Sequence, residues 1–541
     1  MESGQKIARA LSDLTLRRAV WLVAALCAAV LVPWLGETLF NTKGEPREAI
    51  VAVSMLESSD WILPVSYGAD IPYKPPFLAW LIASFSLLLN GGVVNEFTSR
   101  LPSALAAVAM IAAGFGFFAR CRGMRFAAVM AAVTLTSFEV LRAAVACRVD
   151  MVLTACIVVG LYQMYLLREK FSTLRAVGTV LLLSGAVLTK GPVGALLPCL
   201  AMGIFCLIMR DNFFKTAAWL GALCLASMII PAMWYYAAYA RGGEAFLRLA
   251  WEENIGRLTG TMSYDSHINP WYYNIITLVA GMLPWTLVWL GSFKSARYTL
   301  RGWSRESIFA ATVALTVVIF YCIPASKRSV YLLPAYPFIA YGIALILTSP
   351  RARLLLRASA WTAAVLAAAA PLCALALQGH TIGHLTLDSV PLWRIPIALL
   401  PVAAGIWWMA RRKHAQASVL TSIALLYLSY NAVFAPMILN PKSDRDAVPE
   451  VMKAAATVGP VYSLIPDTLM RYYTLNFYCG DIIRRGETHT LPSDGGFCIL
   501  LNPDAPASAP LPAGLRADTL LLTPRSCDTR RPIALLRYPR Q

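Results

Sequence analysis

Long apolar stretches follow one another through the first 435 residues, and they constrain the fold more than any other feature of the chain. A helix needs about 20 residues to cross the hydrocarbon core of a bilayer, and most of these stretches approach that length. The candidate spans are residues 19–37, 77–91, 101–119, 126–146, 150–167, 174–190, 192–209, 216–234, 271–293, 307–324, 332–348, 358–377, 392–410 and 417–435. Of the 541 residues, 58% are hydrophobic and 14% are charged, whereas soluble domains contain about 25% charged residues. A soluble enzyme is therefore excluded, and the sequence predicts an all-α polytopic membrane protein.

The positive charge of the chain is concentrated between the apolar stretches. Lys and Arg number 47 against 29 Asp and Glu, which gives a formal net charge of +18. Many basic residues lie in short clusters, such as those within 351–357 and 411–413, and such clusters mark cytoplasmic loops. The charge therefore indicates topology, and we expect no nucleic-acid partner. When successive loops alternate between the two sides of the membrane with these clusters in the cytoplasm, the N-terminus lies inside and the segment after Pro436 lies outside.

The same alternation brings several polar residues together at the outer face of the membrane. They are Glu45, Lys74, Asp150, Lys190, His267 and Lys327. Three apolar stretches, 77–91, 101–119 and 126–146, separate Lys74 from Asp150. Two residues lie on the same side of a membrane only if the chain crosses it an even number of times between them. One stretch is therefore re-entrant or incomplete, which a membrane protein permits where protein surrounds the backbone. We expect about 13 transmembrane helices of ordinary length.

Composition divides the chain into a membrane domain, residues 1–435, and a polar C-terminal domain, residues 436–541. Two outer loops interrupt the membrane domain, at 38–76 and at 235–270. In the first loop we expect a juxtamembrane helix that opens at Glu45-Pro46, because proline is favoured at the first helical position. The C-terminal part contains short β-like runs and enough residues for a small α/β domain.

Nine of the 12 cysteines lie in or beside apolar stretches. They lack metal-like spacing and are typical of small buried side chains. The other three, Cys479, Cys498 and Cys527, belong to the C-terminal domain. If that domain lies outside the cytoplasm, one disulfide among them can form, and its pairing stays open.

The first outer loop contains the densest group of residues suited to chemistry. Glu45 opens the predicted helix, whose dipole favours a charged carboxylate, and Lys74 precedes two prolines at the mouth of an apolar stretch. Such a carboxylate is a poor bulk base but a good hydrogen-bond acceptor for an incoming hydroxyl or amine. The plainer interpretation is that Glu45 caps a surface helix and Lys74 extends to lipid headgroups. Their joint occurrence beside the membrane favours a built site.

Basic residues also lie at three further helix ends on the outer face, although Lys and Arg are generally enriched on the cytoplasmic side. They occur in Arg148-Val149-Asp150, at Lys190, and at Lys327-Arg328. A phosphate-bearing ligand would explain why cations are tolerated there, whereas any one of them alone is explained by contact with headgroups. His267 is a candidate ligand or proton donor, although a lone histidine commonly bonds within its own loop.

Other function classes receive less support from the sequence. Walker loops, HExxH, paired CxxC and glycine-rich dinucleotide loops are absent from the sequence, so the corresponding nucleotide and zinc chemistries lack a motif. A lipid or solute transporter could use the same outward charges, but transporters commonly contain two related halves, and the sequence has no such repeat. A third class, a scaffold protein with a sensing domain, would not explain why lysines lie at the outer face.

An ordered set of motifs resembles one known family of membrane enzymes. The motifs are Glu45-Pro46-Arg47-Glu48-Ala49, Asp60-Trp61, Tyr73-Lys74-Pro75-Pro76, Arg100-Leu101-Pro102-Ser103, Asp150, Thr189-Lys190-Gly191-Pro192, His267 with Pro270-Trp271-Tyr272-Tyr273, and Ser326-Lys327 with Tyr331-Leu332-Leu333-Pro334. Over residues 38–340 this order resembles the bacterial aminoarabinose transferase and protein O-mannosyltransferase superfamily. Its members are GT-C fold glycosyltransferases that use a polyprenyl-phosphate-linked sugar.

The resemblance implies an inverting transfer of a sugar from an undecaprenyl-phosphate carrier to a periplasmic acceptor. The acceptor would be a lipid A phosphate or a similar envelope glycolipid, or alternatively a hydroxyl of a protein or polysaccharide. The resemblance also implies roles for individual residues. Glu45 and Lys74 would be catalytic, the donor phosphate and sugar would contact Arg47, Tyr73, Asp150, Lys190, Lys327 and Arg328, and His267 would contact the acceptor or a metal.

The resemblance sets further expectations about ligands and location. An acid usually precedes Lys-Pro-Pro in the aminoarabinose transferases, whereas Tyr73 stands there in this chain, so we assign no metal ligand set. No cofactor is assigned, and a divalent cation stays an option. We expect the donor, the acceptor and membrane lipids as partners of a monomer in the bacterial inner membrane. The active site and the C-terminal domain would be periplasmic.

Overall fold

The fold is given by a computed structural model of the chain, in which helices predominate. The structure describes every residue except 1, 43, 69, 73, 257–267, 287–302, 349–352, 383–384, 412–414, 466–472, 487–490, 492–494, 502–517, 524–531 and 539–541.

Helices and strands are labelled in chain order. The helices are α1 (Glu2–Leu31), α2 (Pro46–Ser58), α3 (Phe77–Asn90), α4 (Glu96–Arg122), α5 (Met124–Thr136), α6 (Phe138–Ala144), α7 (Val149–Glu169), α8 (Thr173–Lys190), α9 (Val193–Ile208), α10 (Phe213–Trp251), α11 (Tyr273–Gly281), α12 (Arg305–Cys322), α13 (Tyr336–Leu347), α14 (Arg353–Leu377), α15 (Arg394–Arg411), α16 (Ala415–Ser429), α17 (Ala435–Leu439), α18 (Val448–Val458) and α19 (Tyr473–Tyr478). The strands are β1 (Thr381–Ile382), β2 (Leu385–Thr386), β3 (Val461–Ser463), β4 (Ile483–Arg485), β5 (Gly496–Leu501), β6 (Asp518–Thr523) and β7 (Ile533–Tyr538).

The helical part forms a multi-pass membrane protein. Among the described residues, nine helices are long and apolar enough to cross a bilayer, and a bent pair, α5 with α6, would make ten. Two further apolar helices, α3 and α9, are shorter. The predicted all-α membrane fold with a small C-terminal sheet is confirmed. The number is lower than the 13 expected because the predicted spans 77–91 and 192–209 form the two shorter helices, because α15 is not among the nine, and because the predicted span 271–293 ends outside the described residues.

The three stretches between Lys74 and Asp150 differ in how they cross the membrane. Helix α4 is a full-length span of 27 residues. Helix α3 has 14 residues, which extend about 21 Å at 1.5 Å per residue, less than the hydrocarbon thickness of about 30 Å. The third stretch is divided between α5 and α6, whose axes meet at 69°. Two of the three stretches are therefore candidates for the incomplete crossing.

An aromatic cluster lies at the centre of the bundle, around the buried helix α7. Phe117 stacks on Tyr162 with ring centroids 4.8 Å apart, and it meets Tyr165 edge-on at 5.2 Å. Phe205 and Phe309 complete the cluster from α9 and α12. Such ring geometries add to the stabilisation from burial alone. This core fixes α7 relative to α9 and α12.

The segment predicted as the first outer loop, 38–76, contains the short helix α2. Pro46 occupies the first position of α2, where its fixed φ suits the helix and its missing N–H is not needed. The helix buries Ala49, Ala52 and Met55 in a cluster shared with α3. Residues at the beginning of α2 are thereby held over the mouth of the bundle.

The segment expected as a second loop, 235–270, is largely helical where it is described. Helix α10 continues through Trp251 and breaks only at Gly243, whose φ of 53° lies in the left-handed region that glycine tolerates. A π-helical turn, Glu252–Gly256, follows. The polar residues of this segment did not end the helix because Leu, Ala and Phe alternate with them at helical spacing.

The C-terminal part contains a five-stranded sheet with the order β4-β3-β5-β7-β6. Strand β3 pairs in parallel with β4 and β5, whereas β7 pairs antiparallel with β5 and β6. Cys498 and its neighbours Phe497 and Ile499 face opposite sides of the sheet, since side chains alternate along a strand. Cys479 packs on the Phe497 side, and both cysteines are free thiols. Cys527 lies outside the described residues.

This C-terminal part docks on the first outer loop. The Tyr478 hydroxyl accepts a hydrogen bond from the Phe40 amide at 2.8 Å and donates one to Glu96 at 2.7 Å. Asp481 accepts hydrogen bonds from the Ser54 hydroxyl at 3.0 Å and the Tyr67 amide at 2.8 Å. The sheet domain therefore helps to hold the loop that carries α2.

Candidate active site

Glu45 forms a buried ion pair with Arg100 at the entrance to the bundle. Arg100 Nε lies 2.8 Å from Glu45 Oε1, and Arg100 Nη2 lies 3.2 Å from Oε2. The Cys147 amide also donates to Oε1, at 3.0 Å. Burial opposes ionisation, but Arg100, the Cys147 amide and Arg148 together lower the pKa of Glu45. The carboxylate is therefore ionised at neutral pH, and its remaining lone pair, on Oε2, can accept another hydrogen bond.

Arg100 fixes this pair to the end of the first helical segment. Its Nη1 donates to the Leu35 carbonyl at 2.8 Å and to the Thr38 carbonyl at 2.6 Å. The guanidinium also lies 5.1 Å from the centroid of the Phe40 ring, within the range of a cation–π contact. Arg100 thus anchors the start of the first outer loop as well as Glu45.

Glu48 lies one turn after Glu45 and holds two cations. Lys74 Nζ is 2.5 Å from Glu48 Oε1, and Arg47 Nη2 is 2.8 Å from the same oxygen. Burial acts against its charge, yet Lys74 and Arg47 outweigh that effect and lower the pKa of Glu48 to about 2. Burial and the charge of Arg47 lower the pKa of Lys74 to about 8, although Glu48 acts in the opposite direction.

Asp150 and Lys190 meet where α7 begins and α8 ends. Asp150 lies in the first turn of α7 and Lys190 in the last turn of α8. Because the two helices form an antiparallel hairpin, these turns are adjacent, and Lys190 Nζ lies 2.6 Å from Asp150 Oδ1. Lys190 Nζ is also 3.9 Å from the centroid of the Tyr331 ring. The predicted gathering of Lys74, Asp150 and Lys190 is visible in the structure.

Lys327 and Arg328 lie on the next connection. The Lys327 ammonium donates to the Pro324 carbonyl at 2.6 Å, so it braces its own loop. Arg328 lies beside the charges of Arg148, Asp150 and Arg47, and burial lowers the pKa of Arg328. The structure therefore groups Arg328 with the other cations, and it directs the Lys327 ammonium to backbone carbonyls.

A cavity of about 280 Å³, the lysine cavity, opens beside these residues. Lys74 and Lys190 supply its cationic groups, and Asn254 and Glu253 supply other polar ones. The rest of its wall is formed by side chains such as Leu196, Phe320, Pro324, Tyr321 and Tyr331. An apolar wall with two ammonium groups fits a phosphate attached to an apolar chain.

A second cavity of about 330 Å³, the arginine cavity, lies on the Glu45 side of α2. Arg100, Arg142 and Arg148 line it together with Glu45. Its other walls come from Trp34, from α6, and from Tyr427 and Tyr430 near the end of the membrane domain. The start of α2 thus presents Glu45 to one cavity and, through Glu48, holds a lysine of the other.

Two predicted site residues, Tyr73 and His267, lie outside the described residues. Within the described part, no three His, Cys, Asp or Glu side chains gather as a metal site would require.

Known proteins match this chain by sequence. Residues 73–235 match the family described as dolichyl-phosphate-mannose-protein mannosyltransferase. An uncharacterized protein of Aquifex aeolicus is 30% identical over 309 residues, which cover 56% of this chain and 67% of the relative. The undecaprenyl phosphate-alpha-4-amino-4-deoxy-L-arabinose arabinosyl transferase of Erwinia tasmaniensis is 25% identical over 430 residues, which cover 75% of each protein.

The fold matches a solved structure over nearly the whole chain. ArnT from Cupriavidus metallidurans, crystallised with undecaprenyl phosphate, gives a TM-score of 0.73 with 22% sequence identity, covering 95% of this chain and 97% of that protein. The chain belongs to the GT-C aminoarabinose transferase and protein O-mannosyltransferase superfamily. It is a membrane glycosyltransferase, and the family resemblance predicted from the motifs is confirmed.

Two charged residues of this glycosyltransferase were not assigned roles from the sequence. They are Glu48 and Arg100, which pair with Lys74 and Glu45. Glu48 could have been found from its position three residues after Glu45, since residues three apart share a helix face. Arg100 is 55 residues from Glu45 along the chain, and no local spacing indicates that pair.

Proposed function

We propose that this glycosyltransferase moves a sugar from an undecaprenyl-phosphate-linked donor to an acceptor at the periplasmic face of the bacterial inner membrane, with inversion. The observation that carries the proposal is the lysine cavity, where two ammonium groups meet an apolar wall at the outer ends of helices. The crystallised relative bound to undecaprenyl phosphate supports a carrier of this kind. The relatives named as arabinosyl transferases support a lipid A phosphate or a similar envelope glycolipid as acceptor.

The proposed transfer is a displacement at the anomeric carbon of the donor sugar. The acceptor oxygen attacks the anomeric carbon of the sugar, and the bond from that carbon to the carrier phosphate oxygen breaks. The electron pair stays on that oxygen, so undecaprenyl phosphate leaves with one additional negative charge. Lys74 and Lys190 stabilise this charge as it develops. A phosphate acceptor attacks as an anion and needs little base, whereas a hydroxyl acceptor would pass its proton to the Glu45 carboxylate.

The other predicted residues have supporting roles in the same proposal. Glu45 accepts a hydrogen bond from the acceptor and orients it. Arg47 and Arg328 contact the phosphate or the sugar, Asp150 orients Lys190 through the 2.6 Å contact, and Lys327 positions its loop. Tyr73 would contact the donor, and His267 the acceptor.

The domain arrangement belongs to the proposal as well. Residues 1–435 would carry the reaction, and residues 436–541 would form a periplasmic domain that covers the site and helps to select the acceptor. The hydrogen bonds of Tyr478 and Asp481 to the first outer loop support this arrangement. We expect the protein to work as a monomer.

Mass spectrometry of total lipids, lipid A and envelope proteins, from cells with and without the chain, tests the proposal. We expect a missing sugar on one acceptor and an accumulated undecaprenyl-phosphate sugar in cells without it. If the missing sugar belongs to a protein or a polysaccharide, the acceptor is a hydroxyl group of that molecule and not a lipid A phosphate. Unchanged glycans, with a carrier lipid retained on one leaflet, would refute transfer and favour transport.

A further inference from the structure

The Lys74 ammonium is mostly buried, and a rigid backbone places it at the lysine cavity. Pro75 and Pro76 follow Lys74, and α3 begins at the next residue. Because proline fixes φ, the chain on this side of Lys74 has little freedom. Only 16% of the Lys74 side chain is exposed. An ammonium buried to this extent stays charged only where a nearby anion compensates for its lost hydration.

Glu48 supplies that anion from outside the lysine cavity. Lys74 lines both the lysine cavity and a smaller cavity of about 30 Å³ beside α2. Glu48 and Arg47 line the smaller cavity, and neither is among the described residues that line the lysine cavity. Glu48 Oε1 lies 2.5 Å from Lys74 Nζ. The carboxylate therefore holds the ammonium without occupying the space proposed for the donor phosphate.

Helix packing fixes the distance between these two side chains. Glu48 is the third residue of α2, and its amide donates to the Glu45 carbonyl at 3.1 Å. Ala49 and Ala52 of the same helix pack in one buried cluster with α3, the helix that follows Lys74. The positive end of the α2 dipole also favours an ionised carboxylate in the first turn. The carboxylate and the ammonium are thus attached to two helices that pack on each other.

The charges around Lys74 act on it in opposite directions. Burial lowers the pKa of Lys74 most, Glu48 and Asp150 raise it, and Arg47 lowers it further. The other charged or titratable groups that line the lysine cavity beside it are Lys190, Glu253, Tyr321 and Tyr331. Of the two acids that act on Lys74, Glu48 has the larger effect, because it is in direct contact. Without Glu48, burial and Arg47 would both act against the charge of the ammonium.

We propose that Glu48 is a positioning residue for the transfer, and that its carboxylate keeps the Lys74 side chain charged and directed at the lysine cavity. The inference rests on the proposed function, which gives Lys74 its role at the donor phosphate. It adds a residue that acts through Lys74 and does not itself need to contact the sugar or the phosphate. Asp150 makes the corresponding contact with Lys190, so each ammonium of the cavity has its own carboxylate.

The charge of Lys74 is measured by its reaction with acetic anhydride in the purified full-length protein. Only the unprotonated amine is acetylated, so the rate at each pH, quantified by peptide mass spectrometry, gives the midpoint of its titration. Lys453, an exposed residue of α18, serves as the internal reference for the reagent. We expect a wild-type midpoint of about 8. Glu48→Gln keeps an acceptor oxygen but loses the charge, and it should lower the midpoint by about 1–3 pH units, the range for a contacting opposite charge.

Three further variants distinguish this electrostatic effect from a folding defect. Arg47→Gln removes a cation from the same site, so it should raise the Lys74 midpoint, opposite to Glu48→Gln. Glu48→Asp keeps the charge and should restore part of the wild-type midpoint. Glu57→Gln makes the same charge change at an exposed position near the other end of α2, and it should leave the midpoint unchanged.

Undecaprenyl phosphate connects the charge of Lys74 to the donor side of the reaction. In wild type it should slow the acetylation of Lys74. Its affinity for Glu48→Gln at pH 8 should be weaker by at least about fivefold, because a smaller fraction of the protein carries the charged lysine. This difference should shrink as the pH falls toward 6, whereas the effect of a misplaced helix would persist.

The outcomes separate the inference from the proposed function. Equal midpoints in wild type and Glu48→Gln, or shifts of the same sign in Glu48→Gln and Arg47→Gln, would overturn the inference. If undecaprenyl phosphate does not slow the acetylation of Lys74 in wild type, the proposed role of Lys74 in binding the donor fails. If it does slow the reaction and only the Glu48 predictions fail, the proposed function survives without this residue.

Discussion

Glu45 and Arg100 form a buried two-contact ion pair that joins the first outer loop to a membrane-spanning helix, with heavy-atom distances of 2.8 and 3.2 Å. Both residues are less than a tenth exposed. Removing one partner of such a pair leaves an uncompensated buried charge, whereas replacing both with apolar groups is often tolerated. Single and double substitutions of the pair therefore differ in their effect on stability, and comparing them distinguishes the structural role of the pair from its role in the reaction.

The first prediction uses that asymmetry. Arg100→Leu should destabilise the protein by about 3–5 kcal/mol because Glu45 is left buried and unpaired. The double variant Glu45→Leu/Arg100→Leu should recover only part of this stability, because the Leu35 and Thr38 carbonyls still lack their donor, and it should still fail to transfer sugar. Thermal unfolding in detergent and lipid mass spectrometry measure the two properties. Full transfer by the double variant would show that Glu45 has no part in the reaction.

A pH dependence follows from Lys74, whose pKa lies at about 8 in the unliganded protein. The protonated amine binds the donor phosphate, so kcat/KM for the donor should fall as pH rises above about 8. Bound phosphate raises this pKa, so kcat should fall only at higher pH. Lys74→Arg should move the fall in kcat/KM beyond the measured range, because a guanidinium stays charged. An unchanged profile in that variant would assign the titration to another group.

Gly194 provides a test of how α8 and α9 position Lys190. A Cβ atom at 194 would lie 2.4 Å from the Ala186 carbonyl carbon, which is backbone and cannot move aside. Gly194→Ala should therefore lower the Tm and weaken donor use. Gly221→Ala is the matched control, since a Cβ there meets no atom within 4 Å, and in a helix it should be neutral or stabilising. Equal Tm values for the two variants would contradict the close approach.

Tyr478 tests whether the C-terminal domain holds the first outer loop. Tyr478→Phe removes the acceptor of the Phe40 amide and the donor to Glu96. The loss of partners for such groups costs about 1–3 kcal/mol. Hydrogen exchange at the Phe40 amide should accelerate, and Tyr236→Phe, whose residue is 76% exposed in α10, should leave that rate unchanged. No acceleration in Tyr478→Phe would mean that the domain does not hold this loop.

The sequence predicted those features that depend on local chemistry. Pro46 fixes the start of α2, and hydropathy identifies the membrane helices, because each depends on neighbouring residues. The placement of Lys190 and Asp150 at one face of the membrane followed from the alternation of loops, whereas the ion pair between them was not predicted. These predictions required no knowledge of tertiary packing.

Other features depend on packing between distant segments and could not be predicted. The pairing of Glu45 with Arg100 and the contact of Tyr478 with Phe40 join residues 55 and 438 apart. The extension of α10 through Trp251 required Gly243 to absorb a left-handed φ, which its sequence context does not indicate. The division of cations between two cavities depends on where α2 lies over the bundle.

Binding of undecaprenyl phosphate to the purified protein tests the central claim most directly. Affinities are compared among wild type, Lys190→Gln and Lys170→Gln, the last an exposed lysine at the opposite end of α7. If the lysine cavity holds the carrier phosphate, Lys190→Gln should weaken binding about tenfold or more, and Lys170→Gln should bind like wild type. Equal affinity in all three proteins would contradict the account.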